Sequence, residues 1–138
     1  MGLRWRGSDE DSVWLDFEVD VADRWPPGVG DGEVEVCLAR LAGESDREAE
    51  ARAGALVPRL ELVVRRLAEI VSEAVALAPA DWRQAGERPA GERVSFDGID
   101  VRDGVVHVVL YDDELVYVEL VAALDHDNRV RSVVERQI

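Results

Sequence analysis

The sequence predicts an α+β domain: an antiparallel sheet of about six strands in the order ββαββββ, with one main helix packed on one face. Three observations carry that reading. Two segments before residue 40 alternate apolar and polar residues with a period of two, as half-buried strands do. A long stretch over 46–77 repeats its apolar residues at steps of three and four, the stripe of an amphipathic helix. Four short apolar segments separated by turn residues then fill the last third. A chain of 138 residues is long enough to bury a core between one helical layer and one sheet. Residues 13–138 are read as that domain and residues 1–12 as an N-terminal arm.

The first strand has the cleanest alternation, Val13, Leu15, Phe17, Val19 and Val21 against Trp14, Asp16, Glu18 and Asp20. Prolines and glycines between Arg24 and Gly32 end it, because they cannot continue a ladder. The second strand sets Val34, Val36 and Leu38 against Glu33, Glu35 and Cys37, and the two strands pair as an antiparallel hairpin. Ser45 with Glu48 reads as a capping box opening the helix. Its stripe runs through Ala53, Leu56, Leu60, Val63, Leu67, Ile70, Ala74 and Leu77. A straight helix over that span would be about 48 Å long, longer than the domain is wide, so a break is expected at Gly54 and Pro58.

Pro79 ends the helix, and residues 79–92 are expected to cross over as a loop with a helical turn near Asp81 and Trp82. Val94 and Phe96 share a face, Gly98 marks a bulge, and Ile99 and Val101 resume on shifted parity. Asp103-Gly104 predicts a type I′ hairpin turn. Further hairpins are expected at Asp112–Glu114, with Leu115–Val121 as the next strand, and at Asp125–Asn128. The last strand is expected over Arg129–Glu135.

Composition limits the function. The formal net charge is −14, and all 16 basic residues are Arg, with no Lys. Such a chain is ill-suited to nucleic acid or to anionic membrane surfaces, both of which need clustered cations. Acidity also follows from a GC-rich genome or from salt adaptation, so it does not by itself assign a role. No apolar run reaches the ~18 residues that span a bilayer. The first ten residues lack the apolar core of a signal peptide. Cys37 is the only cysteine, which leaves no internal disulfide and suggests a reducing, cytoplasmic setting.

The order of elements, with Phe96-Asp97-Gly98-Ile99, Asp103-Gly104-Val105-Val106, Tyr111-Asp112-Asp113 and Ala123-Leu124-Asp125 in the closing meander, resembles small bacterial families of uncharacterised proteins. Some of these are grouped with predicted immunity proteins of polymorphic toxin systems. The resemblance implies a binding role and brings no catalytic residues with it.

No catalytic, metal or cofactor constellation stands out, and no cofactor is expected. His107 lies within a strand, and His126 sits in an Asp-rich turn without the Gly and terminal Glu of a calcium loop. Cys37 has no activating neighbour in sequence.

Three functional readings follow. The first is a protein-binding module, an immunity-type inhibitor of a basic partner, using an acidic hairpin face of Trp14, Asp16, Glu18, Asp20, Glu33 and Glu35. The second is a homodimeric structural or ligand-sensing module. It would associate through Val105, Val109, Tyr111, Leu115, Tyr117 and Val121, because one helix covers only one face of a sheet. The third, an enzyme built on His107 and nearby carboxylates, requires a pocket around that ring.

Overall fold

The structure, a computed structural model, describes residues 3–18 and 33–138, and Glu33 by its backbone alone. The α+β class holds, but the sheet is larger and of mixed direction. Seven strands lie in chain order: β1 (Leu3–Ser8), β2 (Ser12–Glu18), β3 (Glu33–Ala39), β4 (Val94–Arg102), β5 (Val105–Asp112), β6 (Val118–Leu124) and β7 (Val130–Gln137). Every neighbouring pair is antiparallel except β3 with β4. That parallel join is where the chain leaves the sheet for its helices and returns, as parallel neighbours require. It is short, pairing Val36 with Ile99, Cys37 with Asp100 and Leu38 with Val101.

Residues 3–8, expected within an N-terminal arm, form the edge strand β1. Only Leu3 and Trp5 among them are large and apolar, too little alternation to announce a strand. Trp5 pairs with Leu15 and packs against the core. Residues 19–32, which hold the expected end of the first strand and the Pro/Gly turn, lie outside the described residues.

The helical layer comprises α1 (Asp46–Arg65), α2 (Leu67–Leu77), α3 (Ala80–Gln84) and α4 (Ala90–Arg93). The Ser45–Glu48 capping box is formed. The expected break at Pro58 does not occur: α1 runs through that residue. The proline ring meets the carbonyl four residues back, which belongs to Gly54 on the exposed side of the helix, where water can take the freed acceptor. The interruption comes instead at Arg66, with φ −98° and ψ 9°.

Two arginines tie that point to the β6–β7 turn. Arg59 donates to Asn128 Oδ1 (3.1 Å) and to Asp125 O (2.8 Å), and Arg66 donates to Asn128 O. On either side of that point α1 packs against β1 and α2 against β7.

All four helices cover one face. Val13, Leu15 and Phe17 of β2, Val34, Val36 and Leu38 of β3, and Val106, Val108 and Leu110 of β5 point into a core shared with Leu60, Val63, Leu67 and Ile70. The bulge at Gly98 is present, and Asp103 and Gly104 both have positive φ, as a type I′ turn requires. A Cβ at Gly98 would stand 3.0 Å from Glu35 O, so glycine allows β4 to approach β3 there.

Residues 115–117, expected in a strand, belong to the turn before β6. Asp112 Oδ1 accepts from both Glu114 N (2.8 Å) and Leu115 N (3.0 Å), which opens a turn that ends three residues later than the apolar pattern suggests. No helix among the described residues is long and apolar enough to cross a membrane.

Candidate functional site: the helix-free face of the sheet

Strand alternation decides what the second face carries. Opposite the core, β2 presents Trp14 and Asp16, and β3 presents Glu35 and Cys37. On the same side β4 presents Asp100 opposite His107 of β5, and β6 presents Glu119 opposite Arg136 of β7. No described helix lies over these residues, so their mutual contacts set the chemistry of this face.

The acidic hairpin of the sequence reading is partly assembled and partly neutralised. Asp16 faces Glu35 across β2 and β3, and Glu18 pairs with Glu33 in the ladder. Asp20 and the side chain of Glu33 lie outside the described residues. The unforeseen strand β1 brings two cations to the pair: Arg4 lies 3.0 Å and Arg6 3.5 Å from Asp16, and Arg6 lies 3.0 Å from Glu35. Asp16 is consequently only 6% exposed. The expected run of unopposed acids is therefore a short ion-pair network at this edge, with Trp14, half-buried, lining an open depression beside Arg6, Gly7 and Glu35.

The free acidity lies further along the sheet. A hollow of about 70 Å³ is lined by Glu35, Cys37, Asp97, Gly98, Ile99, Asp100, Val109 and Arg136. Three strands separate β3 from β7, and the length of the arginine together with sheet twist brings Arg136 to the same hollow as Glu35. Asp97, the extra residue of the bulge, and Asp100 have no ion-pair or hydrogen-bond partner for their carboxylates among the described residues.

Partial burial raises the Asp97 carboxyl above its ordinary range, and the charges of Glu119, Glu35 and Asp100 raise it further. Burial likewise raises Asp100, against the opposing pull of Arg136, Arg102 and His107. Cys37 is pushed up by burial, so its thiol is held protonated rather than activated. Among the described residues no three His, Cys, Asp or Glu side chains are grouped to hold a metal ion.

The residues expected to mediate self-association divide. Val105, Val109, Tyr111 and Val121 stand on the helix-free face, with Val109 buried and the other three at least partly accessible. Leu115 packs against the core instead, and Tyr117 sits in the turn before β6, 73% exposed. His107 is half-buried, next to Asp100 across the ladder, and does not line the hollow.

Sequence reasoning missed Asp97, Asp100 and Arg136 as a group, because a bulge and a strand three places away bring them together. It also missed a buried ionic cluster on the helix-covered face. There Arg93, fully buried, lies 3.4 Å from Asp112 and stacks 4.7 Å from the Trp82 ring centroid, while its Nη2 donates to Trp82 O at 2.6 Å. The Pro/Gly-rich stretch 79–92 reads as a loop, with nothing to mark Arg93 as internal.

The two raised carboxyls carry a testable sign. A carboxyl whose folded pKa lies above its unfolded value of ~3.9 stabilises the fold below that value, and the contribution is lost as pH rises through the folded pKa. Ionised Asp100 therefore opposes folding at neutral pH. Asp100→Asn is expected to raise the urea midpoint at pH 7, with the advantage shrinking toward pH ~4. Glu44 has the opposite sign, because its hydrogen bond to Arg52 holds its carboxyl below the ordinary range. Its contribution is present above the usual glutamate range and lost as pH falls, so Glu44→Gln is expected to lower the midpoint at pH 7. An unchanged or lowered midpoint for Asp100→Asn would contradict the burial argument.

No family model, no curated protein and no solved structure matches this chain.

Proposed function

We propose that the protein is an acidic protein-binding module whose helix-free sheet face takes up a basic segment of a partner, as an immunity-type inhibitor masking a basic site would. The observation that supports this reading is the hollow holding Glu35, Asp97 and Asp100 beside Arg136, in which Asp97 and Asp100 have no ion-pair partner among the described residues. Carboxyls that oppose folding when ionised are retained at a cost in stability, a pattern typical of residues kept for function. An arriving guanidinium or ammonium group would relieve their repulsion, so the binding free energy includes the relief. With a net charge of −14 the whole chain also draws a cation in from a distance. A lone cysteine fits a reducing compartment, so the work is assigned to the cytoplasm.

The test uses a short labelled oligoarginine peptide, with binding read by fluorescence anisotropy at physiological salt. Glu35→Gln/Asp97→Asn/Asp100→Asn is expected to weaken binding about tenfold. A control triple, Glu50→Gln/Asp81→Asn/Glu92→Gln, removes the same charge from exposed helix positions and is expected to change it less than about twofold. Equal losses in the two triples would reduce the attraction to net charge and reject the face.

A further inference from the structure

The helix-free face changes character along the sheet. Over β2 and β3 it carries Trp14, Asp16, Glu35 and Cys37, but toward β7 it turns apolar. Val109, Val121 and Val134 stand opposite one another across β5, β6 and β7, in one row perpendicular to the strands. Tyr111 follows two residues after Val109 on the same face, and beyond it Ile138 N donates to Tyr117 O at 2.9 Å, where both side chains are 73% exposed. Tyr111, Val116, Tyr117, Val134 and Ile138 thus gather around β5–β7. The other large apolar side chains exposed among the described residues stand singly, on α1, at the end of α2 and in the loop after β3. Single ones need no explanation, but a contiguous group marks a contact surface. Glu119 and Arg136 neutralise each other within this group, so no free charge interrupts it.

The row begins at the acidic hollow. Gly98 of β4 stands opposite Val109, and Val109 itself lines the hollow with Asp97 and Asp100. At a strand spacing of about 4.8 Å, Val121 lies about 10 Å from the bulge and Val134 about 15 Å. We infer, resting on the binding role proposed above, that this row seats an apolar side chain of the same basic segment whose cation enters the hollow. The partner segment then carries an arginine or lysine and, about 10 Å away, an apolar residue. In an extended chain, which advances about 3.3 Å per residue, that is three positions along.

Charge selects this occupant over a second copy of the chain. A two-fold contact through this face would bring two acidic hollows together on two chains of net charge −14. A basic segment meets the same surface with the opposite sign. The two parts of the face also divide the work. The carboxylates attract any cation, whereas the valine row accepts only a segment with an apolar residue at the right distance, and so supplies the discrimination.

Two labelled peptides test this by fluorescence anisotropy at physiological salt, with the whole chain titrated to about 1 mM. Both carry two adjacent arginines in a glycine-serine chain; one has leucine three residues after the second arginine, the other glycine. The leucine peptide is expected to bind about tenfold more tightly. Val121→Thr/Val134→Thr keeps the β-branched shape and exchanges one methyl for a hydroxyl at each position. It should cut the leucine advantage below about threefold and leave binding of the glycine peptide unchanged. Circular dichroism checks folding, and Val134→Thr alone, at a 60% exposed position, gives the same comparison if the pair does not fold. Equal binding of the two peptides, or a leucine advantage that persists in the folded valine variants, overturns the inference while the charge-based role stands. Unchanged binding of the glycine peptide by Glu35→Gln/Asp97→Asn/Asp100→Asn overturns that role and the inference with it. Self-association of the wild-type chain that the valine variant abolishes would assign the row to a second copy, and overturns it too.

Discussion

Replacing Asp112 by Ala is expected to lower folding stability by about 3–5 kcal/mol, the effect of removing one partner from a buried ion pair. This carboxylate has several functions at once. Its Oδ2 accepts the Trp82 indole N–H at 2.9 Å and stands 3.4 Å from Arg93 Nε, while its Oδ1 receives the two backbone N–H groups of the following turn. Arg93 is 0% exposed, and its Nη1 has no hydrogen-bond partner among the described residues. Without Asp112 the guanidinium would keep the Trp82 ring and one carbonyl but lose the one carboxylate within ion-pair distance among the described residues. That uncompensated buried cation dominates the loss; each orphaned hydrogen-bonding group adds about 1–3 kcal/mol at most.

Two further variants separate the causes. Asp112→Asn keeps an acceptor for Trp82 and the turn but removes the charge, so it should recover only part of the loss. Asp112→Ala combined with Arg93→Met removes the stranded cation and should recover more of it. Urea denaturation read by Trp fluorescence supplies all three values. A double variant no more stable than Asp112→Ala would mean that the hydrogen bonds, not the charge, hold this corner together. Gly86 belongs to the same cluster: a Cβ there would collide with the Arg93 side chain and with Glu114.

How much of this was legible in the sequence depends on whether the signal was local. The capping box at Ser45, the bulge at Gly98 and the Asp103-Gly104 turn are written within a few residues of where they act, and all three are present. The strands β2, β3, β4 and β5 are likewise carried by their own alternation. What could not be read is set by distant pairing. Leu3–Ser8 joins the sheet because Arg4 and Arg6 find Asp16 and Glu35 and Trp5 finds Leu15, and none of those gains is visible in the segment itself.

The position of the helix interruption shows the same limit. Pro58 is the strongest local breaker, yet the step occurs at Arg66, an ordinary helix former, because Arg59 and Arg66 reach a turn more than sixty residues ahead. The candidate site followed suit. The acids of the first hairpin are conspicuous in sequence and neutralised by β1. Asp97 and Asp100 are inconspicuous and have no ion-pair partner among the described residues, and only the bulge at Gly98 brings Asp97 into the same hollow as Asp100.

The second large effect is expected at Ile70. On periodicity alone Ile70 and Leu77 belong to the same stripe, seven residues apart, and would be exchanged for Ala at similar cost. Burial separates them. Ile70 is 0% exposed in the core where α2 meets β7, whereas Leu77 is 53% exposed at the far end of α2. Ile70→Ala is therefore expected to lower stability by about 2–5 kcal/mol, the transfer term plus the cavity left in a packed layer. Leu77→Ala should stay within about 0.5 kcal/mol of the wild type.

Chemical denaturation of the two variants, with the slope checked for constancy, distinguishes the layouts. A straight helix seated along its whole stripe would make Leu77→Ala cost nearly as much as Ile70→Ala. A large gap between the two means that the buried stripe of α2 runs through Leu67, Ile70 and Ala74 and leaves Leu77 outside it. The arginine contacts at the β6–β7 turn fix the start of α2 at Arg66, and from there Leu67, Ile70, Ala74 and Ala78 enter the core while Leu77 faces solvent.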